Sequence, residues 1–342
     1  MVPMTPKLPR GCTFSESDWR ALAAFWHPVA LADQVGTAKP LAVVLLDVEL
    51  VLYRAGGTVV AARDLCLHRG VPLSLGWIET EEIVCAYHGF RYGANGECTS
   101  VPAQPHAAIP RKLCLTTYPV IERYNLIWVC LAGDGTRPLP EWPELEDPNQ
   151  RTLQVDCGVW QCSAARHTEN FNDLAHLSWV HAGTFGNRER PEVAAYDVEV
   201  RPGGLHFESD YERYSLGIET GAKSIETIRY VYDHSLPFYS RLQIRFENGG
   251  VLTIFDLASP QSARKSHIFL RSSRTFDLEG PNEPHTAALL KVLDEDKAIV
   301  EAQRPEELPL DLSEEFHIRA DRFSTVYRQQ LRASGLGVEY TS

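Results

Sequence analysis

Cys66-Leu-His68, followed after sixteen intervening residues by Cys85-Ala-Tyr-His88, constrains this chain more than any other stretch. Each half sits where a strand-like run gives way to a glycine-bearing loop, through Gly70 in the first and Gly89 in the second. Two thiolates and two imidazoles on paired loops form a metal-ligand set, and the same count also permits a Cys2His2 zinc site. Eight cysteines in 342 residues are better explained by reduced thiols and metal ligands than by disulfides, because the N-terminal Met-Val-Pro-Met-Thr-Pro-Lys carries no apolar signal core. The longest apolar stretch, Leu41 to Tyr53, is interrupted by Asp47 and Glu49 and falls short of the roughly 20 residues a spanning helix needs. The expectation is a cytoplasmic protein with no membrane partner. A formal net charge of −12 and the lack of a basic cluster interleaved with aromatics weigh against nucleic acid as a partner.

With 44% hydrophobic residues the chain can bury a full core, and its length suits about two domains. Phe14 to His27 has Ser15 before an acidic first turn and apolar residues at helical spacing, which predicts a short helix. Leu41 to Leu46, Glu49 to Arg54 and Thr58 to Ala62 read as strands, the last two joined through Ala55-Gly56-Gly57, and Ile83 to Tyr87 and Leu126 to Leu131 as further strands. The Pro- and acid-rich stretch from Thr136 to Pro148 reads as an extended crossing, giving domains over 1–140 and 141–342. Beyond it the pattern predicts a helix over Arg166 to His181 and strands over Val198 to Tyr211, Arg241 to Phe246, Val251 to Leu257 and His267 to Ser273. Helices follow over Pro284 to Gln303 and Leu312 to Leu331. Strands followed by helices predict an α+β second domain, an antiparallel sheet with helices.

In Cys66-Leu-His68-Arg69-Gly70 and Cys85-Ala-Tyr-His88-Gly89-Phe90 the ligand set resembles the paired loops of Rieske [2Fe–2S] proteins, whose histidines replace thiolates on one iron and raise its potential. Respiratory Rieske proteins carry an additional cysteine in each loop; Val71 and Tyr87 stand there, so the cluster resembles the oxygenase type. Downstream, Glu169-Asn170-Phe171-Asn172-Asp173-Leu174-Ala175-His176 and the continuation to His181 match the Asp-x-x-His-x-x-x-x-His signature of Rieske oxygenase α subunits. His176, His181 and one carboxylate would form a facial triad with open positions. Asp173 and His176, three apart, would share a helical face, whereas His176 and His181 lie about 140° apart on an ideal helix, so a π-bulge or irregular helix end is expected. For the third ligand, Leu289, Leu293, Asp296, Val300 and Gln303 form one stripe with a single carboxylate, Asp296, on an apolar face, while Asp294 reads as a solvated charge.

The resemblance covers most of the chain, from Phe25-Trp26-His27-Pro28-Val29 to Phe316-His317-Ile318-Arg319-Ala320-Asp321-Arg322-Phe323, and is nearest to small N- and O-demethylases and alkaloid hydroxylases of the Rieske oxygenase family. It implies an N-terminal all-β Rieske domain and a C-terminal helix-grip catalytic domain. It further implies a [2Fe–2S] cluster on Cys66, His68, Cys85 and His88, a mononuclear Fe(II) on His176, His181 and Asp296, and a homotrimer in which Asp173 links His176 to His88 of a neighbouring subunit. A reductase or ferredoxin would pass electrons from NAD(P)H, and O2 would be used to hydroxylate or demethylate a small molecule. Aromatic cis-dihydroxylation uses the same ligands and is the alternative enzymatic reading; a non-catalytic electron carrier is the reading from another class. Cys157 and Cys162, on an expected strand, read as packing residues on opposite faces. Cys12, Cys98, Cys114 and Cys130 are scattered singly, His167, His206, His234 and His267 read as hydrogen-bonded or surface histidines, and Phe238, Tyr239 and Trp179 as core filling.

Overall fold

Short β-branched runs closed by tight turns build the N-terminal part of the chain. The computed structural model describes residues 8–132, 135–215 and 225–337, and the chain divides into two units, Met1–Leu139 and Pro140–Ser342. In the first, Ser15 caps helix α1 (Glu16–Ala23) by accepting the Asp18 N–H at 3.1 Å, and the Trp19 indole donates to Leu46 O at 2.8 Å. Three antiparallel sheets follow. One aligns Leu41–Leu45, Val48–Ala55, Thr58–Arg63 and Thr117–Tyr118; another aligns Trp77–Glu79, Glu82–Val84, Arg91–Tyr92 and Cys98–Ser100. The expected Gly56-Gly57 turn joins Ala55 to Thr58. Three other hairpins turn on Leu46-Asp47, Thr80-Glu81 and Tyr124-Asn125, all with positive φ at both central residues, as the right-handed twist of paired strands demands. The expected strand over Ile83 to Tyr87 ends at Val84, because the Cys85 N–H leaves the ladder to bond Phe90 O at 2.9 Å. Between the sheets lies a core of Val51, Tyr53, Ala62, Ile83 and Tyr92 that also encloses Cys66 and Cys85.

The second unit is organised by a seven-stranded antiparallel sheet in the order Arg151–Trp160, Lys265–Arg274, Val251–Ser262, Tyr239–Arg245, Ile225–Ser235, Gly204–Tyr214, Val198–Arg201. Ile225–Ser235 is a full strand that the sequence reading did not place. Within the expected extended crossing, Pro143–Leu145 forms a 3-10 turn and buries Glu144 against Arg241 and Gln243. The expected helix over Arg166 to His181 is two pieces, α2 (Ala164–Phe171) and the single turn α3 (Leu177–Val180). Helix α4 (Glu283–Val300) corresponds to the first C-terminal helix expected, and α5 (Arg322–Ala333) begins ten residues later than the second. The reason is local: Asp311 accepts the Ser313 N–H and hydroxyl, and Asp321 accepts the Ile318 N–H, so these side chains satisfy the backbone outside a helix.

Helix α2 packs on the strand Val251–Ser262 and against α4 and α5. Arg328 of α5, 2% exposed, donates to both carboxylate oxygens of Glu169 at 2.8 and 2.7 Å and to Glu315, which also accepts from Arg166 at 2.7 Å. On the sheet side His167 Nε2 lies 2.9 Å from both oxygens of Asp256, and both residues are buried. Cys157 sits at a bulge between Asp156 and Val159 and Cys162 lies past the strand end, so the expected alternation of faces does not apply; burial pushes both thiols up, Cys162 to about 12. Removing Asp256 strands a buried imidazole, so Asp256→Ala is expected to cost about 3 kcal/mol of stability; the midpoint of a urea unfolding curve checks it, and an unshifted midpoint would show that the pair does not anchor α2.

Candidate functional site

The two cluster-type loops are built alike. In the first, Cys66 N–H donates to Val71 O at 2.8 Å and Gly70 N–H to Cys66 O at 2.9 Å; in the second, Cys85 N–H donates to Phe90 O at 2.9 Å and Gly89 N–H to Cys85 O at 3.0 Å. Each loop closes only because its glycine takes a left-handed φ, 72° at Gly70 and 69° at Gly89. The result brings all four expected ligands together. Cys66 and Cys85 are buried and mutually close, while His68 and His88 are exposed with their Nδ1 atoms 3.1 Å apart. His68 stacks on Phe90 with ring centroids 4.7 Å apart, and Cys66 Sγ lies 3.4 Å from the Tyr92 hydroxyl. Burial pushes the Cys85 thiol up, a penalty that coordination as thiolate reverses. Two soft sulfurs on one side and two converging imidazole nitrogens on the other are the donor set of a cluster with one Cys-held and one His-held iron.

The second centre begins where α2 stops. Asn172 caps the helix, its amide donating to Thr168 O at 2.8 Å and to Ser240 Oγ at 2.7 Å. Asp173 then accepts the N–H groups of Ala175 and His176 at 2.9 and 3.0 Å, starting a new turn. It therefore meets His176 as a cap and not, as expected, across a shared helical face; the imidazole Nδ1 lies 3.0 Å from Asp173 Oδ2. The expected distortion between His176 and His181 is an irregular helix end: one turn of α-helix passes into a 3-10 turn, His181–Gly183.

Asp296 on α4 faces both rings, its Oδ1 3.4 Å from His176 Nε2 and 3.3 Å from His181 Nε2. That oxygen is buried and has no hydrogen-bond partner among the described residues. His176, His181 and Asp296 present one ligand atom each, all within 4.8 Å of one another. A buried carboxylate oxygen directed at two imidazole nitrogens is the arrangement a divalent cation satisfies. Without one, the group retains a proton: burial opposes the charge on His176, but Asp173 and Asp296 outweigh it and push this imidazole up to about 9. Burial likewise works against the Asp296 carboxylate, yet the two histidines hold it well below the usual range. A metal would displace that proton.

Glu295 is a site residue the sequence reading missed. Its Oε2 lies 2.9 Å from His181 Nδ1 and accepts the Thr184 hydroxyl at 2.9 Å. Each imidazole thus has a carboxylate behind it, Asp173 for His176 and Glu295 for His181, which leaves both Nε2 atoms facing Asp296. Asp294 is exposed, as its place off the apolar stripe implied. A cavity of about 100 Å³ opens on the three residues, walled by Phe171, Leu177, Phe185, Tyr230, Tyr232, Leu289 and further aliphatic side chains. Of the aromatics considered from sequence, Phe238 and Tyr239 are buried in the core, and Trp179, 54% exposed, is neither core nor cavity wall. His167, His206, His234 and His267 each have a hydrogen-bond partner, Asp256, Asp233, Ser240 and Asp156 in turn.

Residues 25–119 match the Rieske [2Fe-2S] domain and residues 160–335 match the vanillate O-demethylase oxygenase C-terminal domain. Methylxanthine N1-demethylase NdmA of Pseudomonas putida is 30% identical over 91% of this chain and 88% of its own length. The dicamba O-demethylase oxygenase component of Stenotrophomonas maltophilia is 28% identical over 81% and 86%. The structure of Pseudomonas putida CBB5 NdmA with caffeine superimposes with a TM-score of 0.84 at 30% identity, covering 93% of this chain and 92% of that one. Because Glu295 orients His181, Glu295→Ala is expected to weaken divalent-metal affinity at the triad by about 10–100-fold; Co(II) titration followed by its visible spectrum measures this, and unchanged affinity would leave Glu295 without a role there.

Proposed function

Since this chain belongs to the Rieske oxygenases, we propose that it is the terminal oxygenase component of a Rieske non-haem iron monooxygenase acting on a small organic or alkaloid-like molecule. The observation that carries this reading is the buried, unpartnered Asp296 oxygen set between two imidazoles on the wall of an apolar cavity. Cys66, Cys85, His68 and His88 hold the [2Fe–2S] cluster, and His176, His181 and Asp296 hold the mononuclear iron, in domains over 1–140 and 141–342. When bound, the cluster supplies single electrons, delivered from NAD(P)H by a reductase or ferredoxin, and the iron supplies O2 activation for inserting one oxygen into a substrate C–H bond.

The protein's own contribution is positioning. Asp173 and Glu295 accept the Nδ1 protons of His176 and His181 and so fix the tautomer that leaves Nε2 free to ligate. Phe171, Leu177 and Phe185 pack around the triad and exclude bulk water from it. An N- or O-methyl group held there and hydroxylated leaves as formaldehyde, which makes hydroxylation and demethylation one chemistry. The N- and O-demethylases among the relatives favour this outcome over cis-dihydroxylation of an aromatic ring.

The reading extends to a homotrimer in which Asp173 connects His176 to His88 of a neighbouring subunit; the exposure of both cluster imidazoles supports an electron exit on that face. It also places the protein in the cytoplasm, supported by eight cysteines of which none is paired in a disulfide. Anaerobically purified protein is expected to carry about three irons and about two acid-labile sulfides per chain, with a Rieske EPR signal on reduction. Asp296→Ala is expected to keep the signal, fall to about two irons, and lose formaldehyde release from N- and O-methyl substrates supplied with a reductase. Full formaldehyde release by that variant would refute the assignment.

A further inference from the structure

The cavity beside the triad is walled almost wholly by carbon, and apart from His176, His181 and Asp296 the polar side chains on it are Arg213, Tyr230, Tyr232 and His285. Arg213 is 1% exposed, ion-paired with Glu226 at 3.0 Å, and laid over the rings of Phe185 and Phe246. Tyr230 lies close enough to that guanidinium to feel its charge. His285 is held through Nε2 by Asp277 Oδ2 at 2.9 Å. Both basic groups on the wall are therefore already matched by a carboxylate. A carboxylate or sulfonate entering this space would lose its hydration and meet no uncompensated cation.

Tyr232 differs from the other three. It is 2% exposed, stacked face to face on Phe207 with ring centroids 4.4 Å apart and set edge-on to Phe171 and Tyr230. Among the described residues its hydroxyl makes no hydrogen bond, although buried phenols usually find a partner. Burial holds its ionisation well above the ordinary range for tyrosine, so the group stays protonated and able to donate.

We infer that the cavity takes an uncharged, largely apolar molecule bearing one carbonyl, ether or ring-nitrogen acceptor, which the Tyr232 hydroxyl binds. The inference deepens the proposed function and rests on its placing the substrate in this cavity. Tyr232 acts here as a specificity-determining group: it completes the ligand's hydrogen bonding, while the paired Arg213 and His285 give an anion nothing to bind.

Binding of three probes measured by calorimetry tests this on the full-length protein: methyl p-anisate (uncharged, with acceptors), p-anisate (the same ring as an anion) and p-xylene (no acceptor). The ester is expected to bind at least tenfold more tightly than the acid. In Tyr232→Phe, which keeps the ring stack on Phe207, the ester should bind about three- to tenfold more weakly, as loss of one neutral hydrogen bond implies, with p-xylene unchanged. The intact Rieske visible spectrum reports that the variant is folded. Binding of the acid as tight as that of the ester, an equal loss for ester and p-xylene, or no change for the ester in Tyr232→Phe would each overturn the inference. Iron assayed on the same samples separates the two readings: ester selectivity in protein whose triad takes no iron would support the pocket inference while the proposed function fails.

Discussion

A carboxylate buried opposite two imidazoles is the interaction on which the C-terminal unit depends. Asp296 Oδ1 has no hydrogen-bond donor among the described residues, yet it is held 3.3–3.4 Å from two histidine nitrogens. Burying such a group is costly unless the surrounding structure fixes its partners, and here the fixing is extensive. Arg328 and Glu315 tie α2 to the C-terminal helix, His167 and Asp256 tie it to the sheet, and Asn172 ends it at one defined residue. Only then does His176 fall at the cavity wall, with Asp173 behind it. The polar network around α2 makes best sense as a frame that sets where the helix stops.

The N-terminal unit solves a related problem with different means. Its thiols are buried in the β core, where burial pushes that of Cys85 up, and its imidazoles are displayed at the surface. Two loops of identical hydrogen-bonding pattern achieve this, each reversing on a glycine with left-handed φ. The asymmetry suits the proposed relay: sulfur donors in a low-dielectric core and histidine donors where another surface can approach.

How much of this was legible in the sequence depends on how local each signal is. The four cluster residues stand at short spacings on paired loops, and the His176, His181 pair was legible through the signature it shares with Rieske oxygenases, downstream of those loops. Asp296 was legible because a lone carboxylate interrupted an apolar stripe, and in the structure Leu293, Asp296 and Val300 are indeed buried on α4. Glu295 was not, since it lies one residue off that stripe and reads as an exposed charge; its role is set by His181, more than a hundred positions away in the chain. The break at Asn172 was hidden for a similar reason: helical spacing continues through it, and what ends α2 is a bond from Asn172 to Ser240 on a distant strand. The turns at Leu46-Asp47 and Tyr124-Asn125 lack glycine, so their left-handed conformations carried only the weak Asp and Asn signal. The strand Ile225–Ser235 mixes Tyr230, Tyr232 and His234 into its buried positions, and those polar-tipped residues masked the face that lines the cavity.

The same residues also set the electrostatic character of the cavity. Three carboxylates, Asp173, Glu295 and Asp296, surround two imidazoles. With both imidazoles neutral, a divalent cation held by His176, His181 and Asp296 would offset two of the three negative charges and leave one. Elsewhere on the cavity wall Arg213 contributes little to balance it, being already paired with Glu226. In a space lined by Phe171, Phe185 and Leu289 the low dielectric lets that residual charge act on anything that enters. Uncharged molecules feel it only through their dipoles, whereas an anion is repelled at the place where it has also lost its water. On the proposed function, the carboxylates behind the two imidazoles would therefore also select against anionic substrates, a coupling that would tie the order of the proposed metal site to the chemistry of what it admits.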